Sequence, residues 1–227
     1  MKYLTQTLIF FITLSIICGC GQSQKRSGTT NPIQSFHNPS DLIINVNPEI
    51  EKYKIKKLAV LPFGIKMFAN LDTTERGINH KITDMFFNQL SVNSNFDLVS
   101  KEGINSIINS YKIDSFTKEN FSNAISLLKN REIDGVIMGE ISRYSERRGT
   151  AISVSKPASV AFDIYLFSIE SGTILWSASF NKTQRPLSEN VLEMGSFLKG
   201  GGTWQTSEQM TRLAIEEIIR RFPKRRY

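Results

Sequence analysis

The 227-residue chain carries 28 Lys and Arg against 21 Asp and Glu, a formal charge of +7, with 40% hydrophobic and 10% aromatic residues. That mix excludes a disordered or fibrous chain and describes a globular one with a core of its own. Two Cys and two His leave no material for a disulfide framework or a Cys/His metal cluster.

Met1-Lys2 followed by Leu8, Ile9, Phe10, Phe11, Ile12, Leu14, Ile16 and Ile17 gives a positive start and an apolar run closed by small residues. This reads as an export signal. The run is shorter than the ~20 residues of a spanning helix. Ile17-Cys18-Gly19-Cys20 resembles the lipobox of bacterial lipoproteins. The resemblance implies cleavage before Cys20, a diacylglyceryl thioether on its sulfur, and an acyl chain such as palmitate on its new amine. Gly21 stands where enteric bacteria use Asp to retain lipoproteins in the inner membrane, so the implied destination is the outer membrane, with the domain facing the periplasm. The alternative is an ordinary secretory signal with Cys20 left as a free thiol. Cleavage would discard Cys18, so the mature chain holds no internal disulfide. It would also remove Lys2, lowering the charge from +7 to +6. In an exported protein this charge suits anionic lipid, lipopolysaccharide phosphate or an acidic protein partner, and not nucleic acid.

Residues 20–50 read as the lipidated Cys and a flexible linker, rich in Gln, Ser, Thr, Asn and Pro, that buries too little to become ordered. Its length relaxes to ~30 Å and stretches to ~100 Å. Ile43, Ile44 and Val46 fit either a short strand or a segment lying across the domain. Residues 51–227 are expected to form one periplasmic α/β domain with a basic tail.

Lys57 to Phe63 is a short run apolar on both faces, as in a central strand, and Pro62 marks its end. Ile78, Ile82, Met85, Phe86 and Leu90 recur at helical spacing. Phe96 to Val99 reads as a second strand, Glu102 to Tyr111 and about Thr117 to Arg131 as two helices, and Val136 to Ile141 as a third strand after Asp134-Gly135. Val160, Phe162, Ile164 and Leu166 alternate, Glu170-Ser171-Gly172 turns the chain, and Ile174, Trp176, Ala178 and Phe180 alternate again, the pattern of a β-hairpin. After a glycine-rich stretch, Gly195 to Gly202, Thr206 caps a last helix, with Gln209 three residues on, that ends before Pro223. The order β-α-β-α-α-β-β-β-α predicts a mixed-sheet α/β sandwich with a carboxyl-terminal meander and helix.

Leu58 to Phe63, Phe96 to Val99, Ile133 to Ile141 and Ser171 to Trp176, in this order, resemble the superfamily shared by the curli secretion channel, the amino-terminal domain of the Tol translocation protein and the lipoprotein activators of penicillin-binding proteins. The resemblance spans most of residues 55–222 and implies an envelope function. A pore-forming member would need further hairpins of ~9–11 alternating residues per strand. Neither Ser142 to Ser159 nor Asn181 to Gln205 carries such a pattern.

Enzymatic motifs are missing: no Gly-x-Ser-x-Gly elbow occurs, and Gly200-Gly201-Gly202-Thr203 lacks the Lys-Ser/Thr ending of a phosphate loop. His37 falls in the linker, and His80 reads as a partly exposed helix residue and not a zinc ligand. No cofactor or metal is expected. Glu140 and Asp163 are candidate perturbed carboxylates, with the wetter face of their strands as the expected location for both. Arg147 and Arg148 stand in a loop between strands as candidate partner contacts or a solvated charge pair. Trp204 is a candidate exposed anchor or a cap on the domain's own core. Arg220, Arg221, Lys224, Arg225 and Arg226 suit a helix carboxyl end or anionic headgroups. The reading is a non-catalytic, lipid-anchored binding or assembly factor of the envelope whose protein partner the sequence does not name. The alternatives are an oligomeric subunit of a secretion or transport assembly and a periplasmic hydrolase.

Overall fold

The computed structural model describes residues 41–72, 76–111, 116–118, 121–129, 131–149, 154–184 and 205–225. The lipobox with Cys20, His37, the glycine-rich stretch and Trp204 lie outside them.

In chain order the elements are β1 (Leu42–Val46), a 3-10 turn (Ile50–Lys52), β2 (Lys57–Val60), β3 (Gly64–Asp72), α1 (Ile78–Asn93), β4 (Asp97–Leu98), α2 (Lys101–Tyr111), α3 (Phe121–Leu128), β5 (Gly135–Ser145), β6 (Arg148–Gly149), β7 (Val154–Lys156), β8 (Ser159–Ser168), β9 (Ile174–Thr183) and α4 (Ser207–Arg220). Seven strands form one mixed sheet in the order β1-β9-β8-β5-β2-β4, with β3 also on β5, while β6 and β7 make a separate small hairpin. Parallel pairing of β2 with β4 and β5 requires the helical crossovers that the α1, α2 and α3 patterns predict. β5, β8, β9 and β1 then pair antiparallel as neighbours. This is the expected mixed-sheet α/β sandwich.

Strand alternation sorts β5 to both faces. Ile137 and Ile141 join Phe162, Ile164, Trp176 and Phe180 in a layer covered by α1 and α4. Val136 and Met138 join Phe167 in the opposite layer, under Ile104, Ile108, Ala124 and Leu128 of α2 and α3. α1 presents Ile78, Ile82, Phe86 and Leu90 at intervals of four, so one stripe is buried. Each fully buried aliphatic or Phe side chain contributes ~1.5–3 kcal/mol by transfer from water, so these two layers hold the sheet.

Local chemistry fixes the ends. The Asp134 carboxylate accepts from the Lys56 and Lys57 backbone N–H groups, each at 2.8 Å, and so caps the start of β2. A Cβ on Gly139 would sit 2.4 Å from the Phe63 ring, so only glycine lets that ring cross β5. α4 starts with the expected capping box: Gln209 N–H donates to Thr206 Oγ1 at 3.1 Å and Thr206 N–H to Gln209 Oε1 at 2.9 Å.

Two strands of the main sheet depart from the sequence reading, and β6 and β7 form a small hairpin that takes Arg148 out of the expected loop and into a strand. Pro62 does interrupt β2, but the chain resumes as β3 along the far half of β5, which runs to Ser145 and needs a second partner there. A register shift between Ile65 and Asn70 leaves Met67 and Phe68 89% and 94% exposed. That bulge breaks the alternation by which β3 would have been found. Of the two options for Ile43, Ile44 and Val46, the strand is realised: β1 pairs β9, so the sheet reaches back into the stretch read as linker.

Candidate functional site

The charged residues of the sheet gather at three places, and the first is at its centre. Alternation along β5 turns Glu140 to the same face as Val136 and Met138, and the β5–β8 register sets it opposite Asp163. Two carboxylates facing one another across hydrogen-bonded strands repel. Lys66 of β3 offsets this, its Nζ 2.8 Å from Asp163 Oδ2 and 3.8 Å from Glu140 Oε2. The Lys118 backbone N–H donates to Glu140 Oε1 at 2.5 Å, and its ammonium lies 5.1 Å from the Tyr165 ring centre.

The wetter-face expectation therefore needs correction for Glu140. Asp163 keeps 21% of its side chain exposed, whereas Glu140 keeps 1%. The cause is compensation from a residue distant in sequence: Lys66 and the 116–118 segment provide the charge and the donor that make the burial tolerable. The hydrogen bond to Asp163 holds the Lys66 ammonium above its usual pKa. The attraction of Asp163 and Glu140 adds to this, and partial burial opposes it. A lysine held protonated is the reverse of a nucleophilic one, so the cluster ties β3, β5, β8 and the segment before α3 together.

The second place holds the predicted arginines. Arg148 opens the β6–β7 hairpin and donates to Asp72 at the end of β3 at 2.7 Å, while Lys156 of β7 donates to the other Asp72 oxygen. The Lys156 hydrogen bond and the nearby Arg148 charge pull the Asp72 carboxyl below its ordinary pKa. Arg148 is thus leashed to β3 with 66% of its side chain still exposed, and Arg147 beside it is half-buried. Trp204 lies outside the described residues.

At the third place, the carboxyl end of α4, Arg220 and Arg221 both pair with Glu217, the latter at 2.5 Å. Arg225 donates to the Asn95 carbonyl at 3.0 Å and approaches Asp97 of β4 at 3.2 Å. Arg220, Arg225 and exposed Lys224 border a cleft of about 540 Å³ whose other wall is Gln89, Asn93 and Asn95. Much of the tail's charge is therefore met within the domain. His80 is exposed on α1, and among the described residues no three His, Cys, Asp or Glu side chains converge as a metal site. No helix of the described residues is long and apolar enough to cross a membrane, which says nothing of strands.

Sequence reasoning missed Lys66, Asp72 and Lys118. The usable signal was Lys66 itself, a cation set between Ile65 and Met67 in an otherwise apolar run. Such a residue implies a buried acid nearby.

The family model of the curli production assembly/transport component CsgG matches residues 62–224, well over half of the chain. No curated protein matches it. Among solved structures it is similar to the PelC dodecamer from Paraburkholderia phytofirmans, at 12% identity over 78% of this chain and 93% of that one, with a TM-score of 0.45. It is also similar to the LpoB C-terminal domain from Salmonella enterica, at 17% identity, 60% and 94% coverage and a TM-score of 0.40. Lipoprotein GNA1162 from Neisseria meningitidis aligns at 10% identity, 65% and 98% coverage and a TM-score of 0.40.

Proposed function

Because the chain belongs to the family of the curli production assembly/transport component CsgG, we propose that it is a non-catalytic, lipid-anchored binding or assembly factor of the bacterial envelope. The family match over residues 62–224 is the observation that carries this reading, since it covers the sheet from β3 onward together with α1 to α4. Residues 1–19 act as the signal, Cys20 carries the lipid, and the chain up to about residue 40, ahead of β1, tethers a single periplasmic domain to the outer membrane. Tethering raises the local concentration of the domain for its partner, and linker length sets the reach. Several buried acyl chains, at ~0.8 kcal/mol per methylene, make such an anchor effectively permanent.

Partner contacts fall at Arg147, Arg148 and Trp204 in this reading. The Arg148 guanidinium keeps an open side while Asp72 holds its direction, and a pre-set direction lowers the ordering cost of binding. The absence of catalysis is supported by the Lys66 cluster, whose charges are engaged with one another. Cys20→Ser tests the anchor. The variant is expected to leave the detergent-dependent membrane fraction, and unchanged fractionation would refute lipid attachment. A second reading, an oligomeric subunit of an envelope transport assembly, is favoured by the family's description as a transport component. The native mass of the detergent-solubilised full chain separates the two.

A further inference from the structure

A sheet edge is a row of unpaired N–H and C=O groups that attracts another strand, and proteins blunt it with short strands, bulges or charge. Among the described residues the sheet has three edges, and two of them are blunted. β4 is two residues long and carries Arg225 against Asp97. β3 is bulged between Ile65 and Asn70 and holds Lys66 and Asp72 in ion pairs. β1 is different: Leu42-Ile43-Ile44-Asn45-Val46 has no charge, no proline and an unbroken register with β9.

The register also says which groups face outward. Asn181 N–H donates to the Asp41 carbonyl and Asn47 N–H to the Leu175 carbonyl, both at 2.9 Å. Hydrogen bonding to β9 therefore runs through the odd-numbered residues, and the N–H and C=O groups of Leu42, Ile44 and Val46 point away from the sheet. The side chains of these same three residues lie on the α1/α4 face, where Leu42 is buried, Ile44 packs against the core and Val46 is 53% exposed beside Trp176.

We propose that β1 pairs antiparallel with β1 of a second copy of this chain about a two-fold axis at Ile44, joining the two sheets into one. The strand is complementary to itself. With Ile44 on the axis, Leu42 of each copy meets Val46 of the other, so three outward hydrogen-bonded pairs form with apolar side chains aligned on one face. No like charges meet at its ends either. Asp41 of one copy falls opposite Asn47 of the other, and Lys182 already neutralises Asp41 at 3.3 Å. A five-residue ladder falls well short of the ~1,600 Å² of a standard interface. The dimer is therefore weak in dilute solution and forms where chains are crowded together. It stands on the sheet edge alone and holds whether or not Cys20 is lipidated.

Crosslinking of the full chain in intact cells tests it. Hydrogen-bonded antiparallel partners have Cα atoms about 5.5 Å apart, within the ~4.4–6.8 Å that a disulfide spans. Ile44→Cys, oxidised in place, is expected to give at least ~5-fold more covalent dimer than either the unsubstituted chain or Glu49→Cys, whose two copies would lie ~30 Å apart. Adding Val46→Pro, which removes an outward N–H and spares the β9 ladder, or Val46→Lys, which blunts the edge, should return the dimer to background. Dimer from Ile44→Cys no greater than from Glu49→Cys, or an adduct of a mass other than twice the chain, would overturn the proposal.

Discussion

Replacing Lys66 with Met keeps most of the side-chain length and removes the ammonium that pairs with both Glu140 and Asp163. Glu140, at 1% exposure, then retains the Lys118 N–H but faces Asp163 across β5 and β8 without the Lys66 charge that offset their repulsion. Removing one partner of a buried pair costs ~3–5 kcal/mol. Lys66 keeps 38% of its side chain exposed, so solvent screens part of the attraction and the expected loss is about 2–3 kcal/mol. For a domain of this size that lowers Tm by roughly 4–12 °C. Urea unfolding followed by circular dichroism at neutral pH measures it, and adding Glu140→Gln to Lys66→Met should recover more than half. The pH dependence has a definite sign. A lysine whose folded pKa is raised stabilises fully below its unfolded value, ~10.4, and loses that contribution as pH rises through the folded value. The gap between parent and variant should hold from neutral pH to about 10 and close only above it. A Lys66→Met variant within about 0.5 kcal/mol of the parent, or a gap that closes between pH 6 and 9, would refute this account of the cluster.

Two further substitutions probe the frame around that cluster. Gly139→Ala puts a methyl group 2.4 Å from the Phe63 ring, which is fully buried and packed 5.7 Å from Phe86. The ring has nowhere to retreat, so a loss of about 3 kcal/mol is expected, read as a lowered thermal midpoint. Thr206→Ala removes half of the capping box on α4 and should cost ~1 kcal/mol in urea unfolding, while Thr206→Ser stays within a few tenths.

Much of this fold is legible where the pattern is regular. The four-residue spacing of Ile78, Ile82, Phe86 and Leu90 identifies α1 because a single stripe is buried. The alternation from Val160 to Leu166 identifies β8, because its register with β9 is unbroken over that stretch and each residue keeps its side of the sheet. β3 escapes because its bulge breaks the period of two at Met67 and Phe68. Glu140 escapes for a different reason: its burial depends on where Lys66 arrives, which no local window contains. Asp134-Gly135 was legible as a step before a strand, but its work, capping β2 through the Lys56 and Lys57 N–H groups, appears only once the two strands lie side by side.

The sheet begins at one edge with β1 and carries Arg225 over β4 at the other, so the two ends of the described chain lie five strand spacings apart, about 24 Å. That separation bears on how the protein is handled. A reporter or affinity tag appended after Arg225 sits beside β4 and leaves β1 open, whereas a bulky fusion joined just ahead of Asp41 would crowd β1 itself. Binding measured with an amino-terminal fusion would therefore understate any association through that strand, and the same protein tagged at its other end would not.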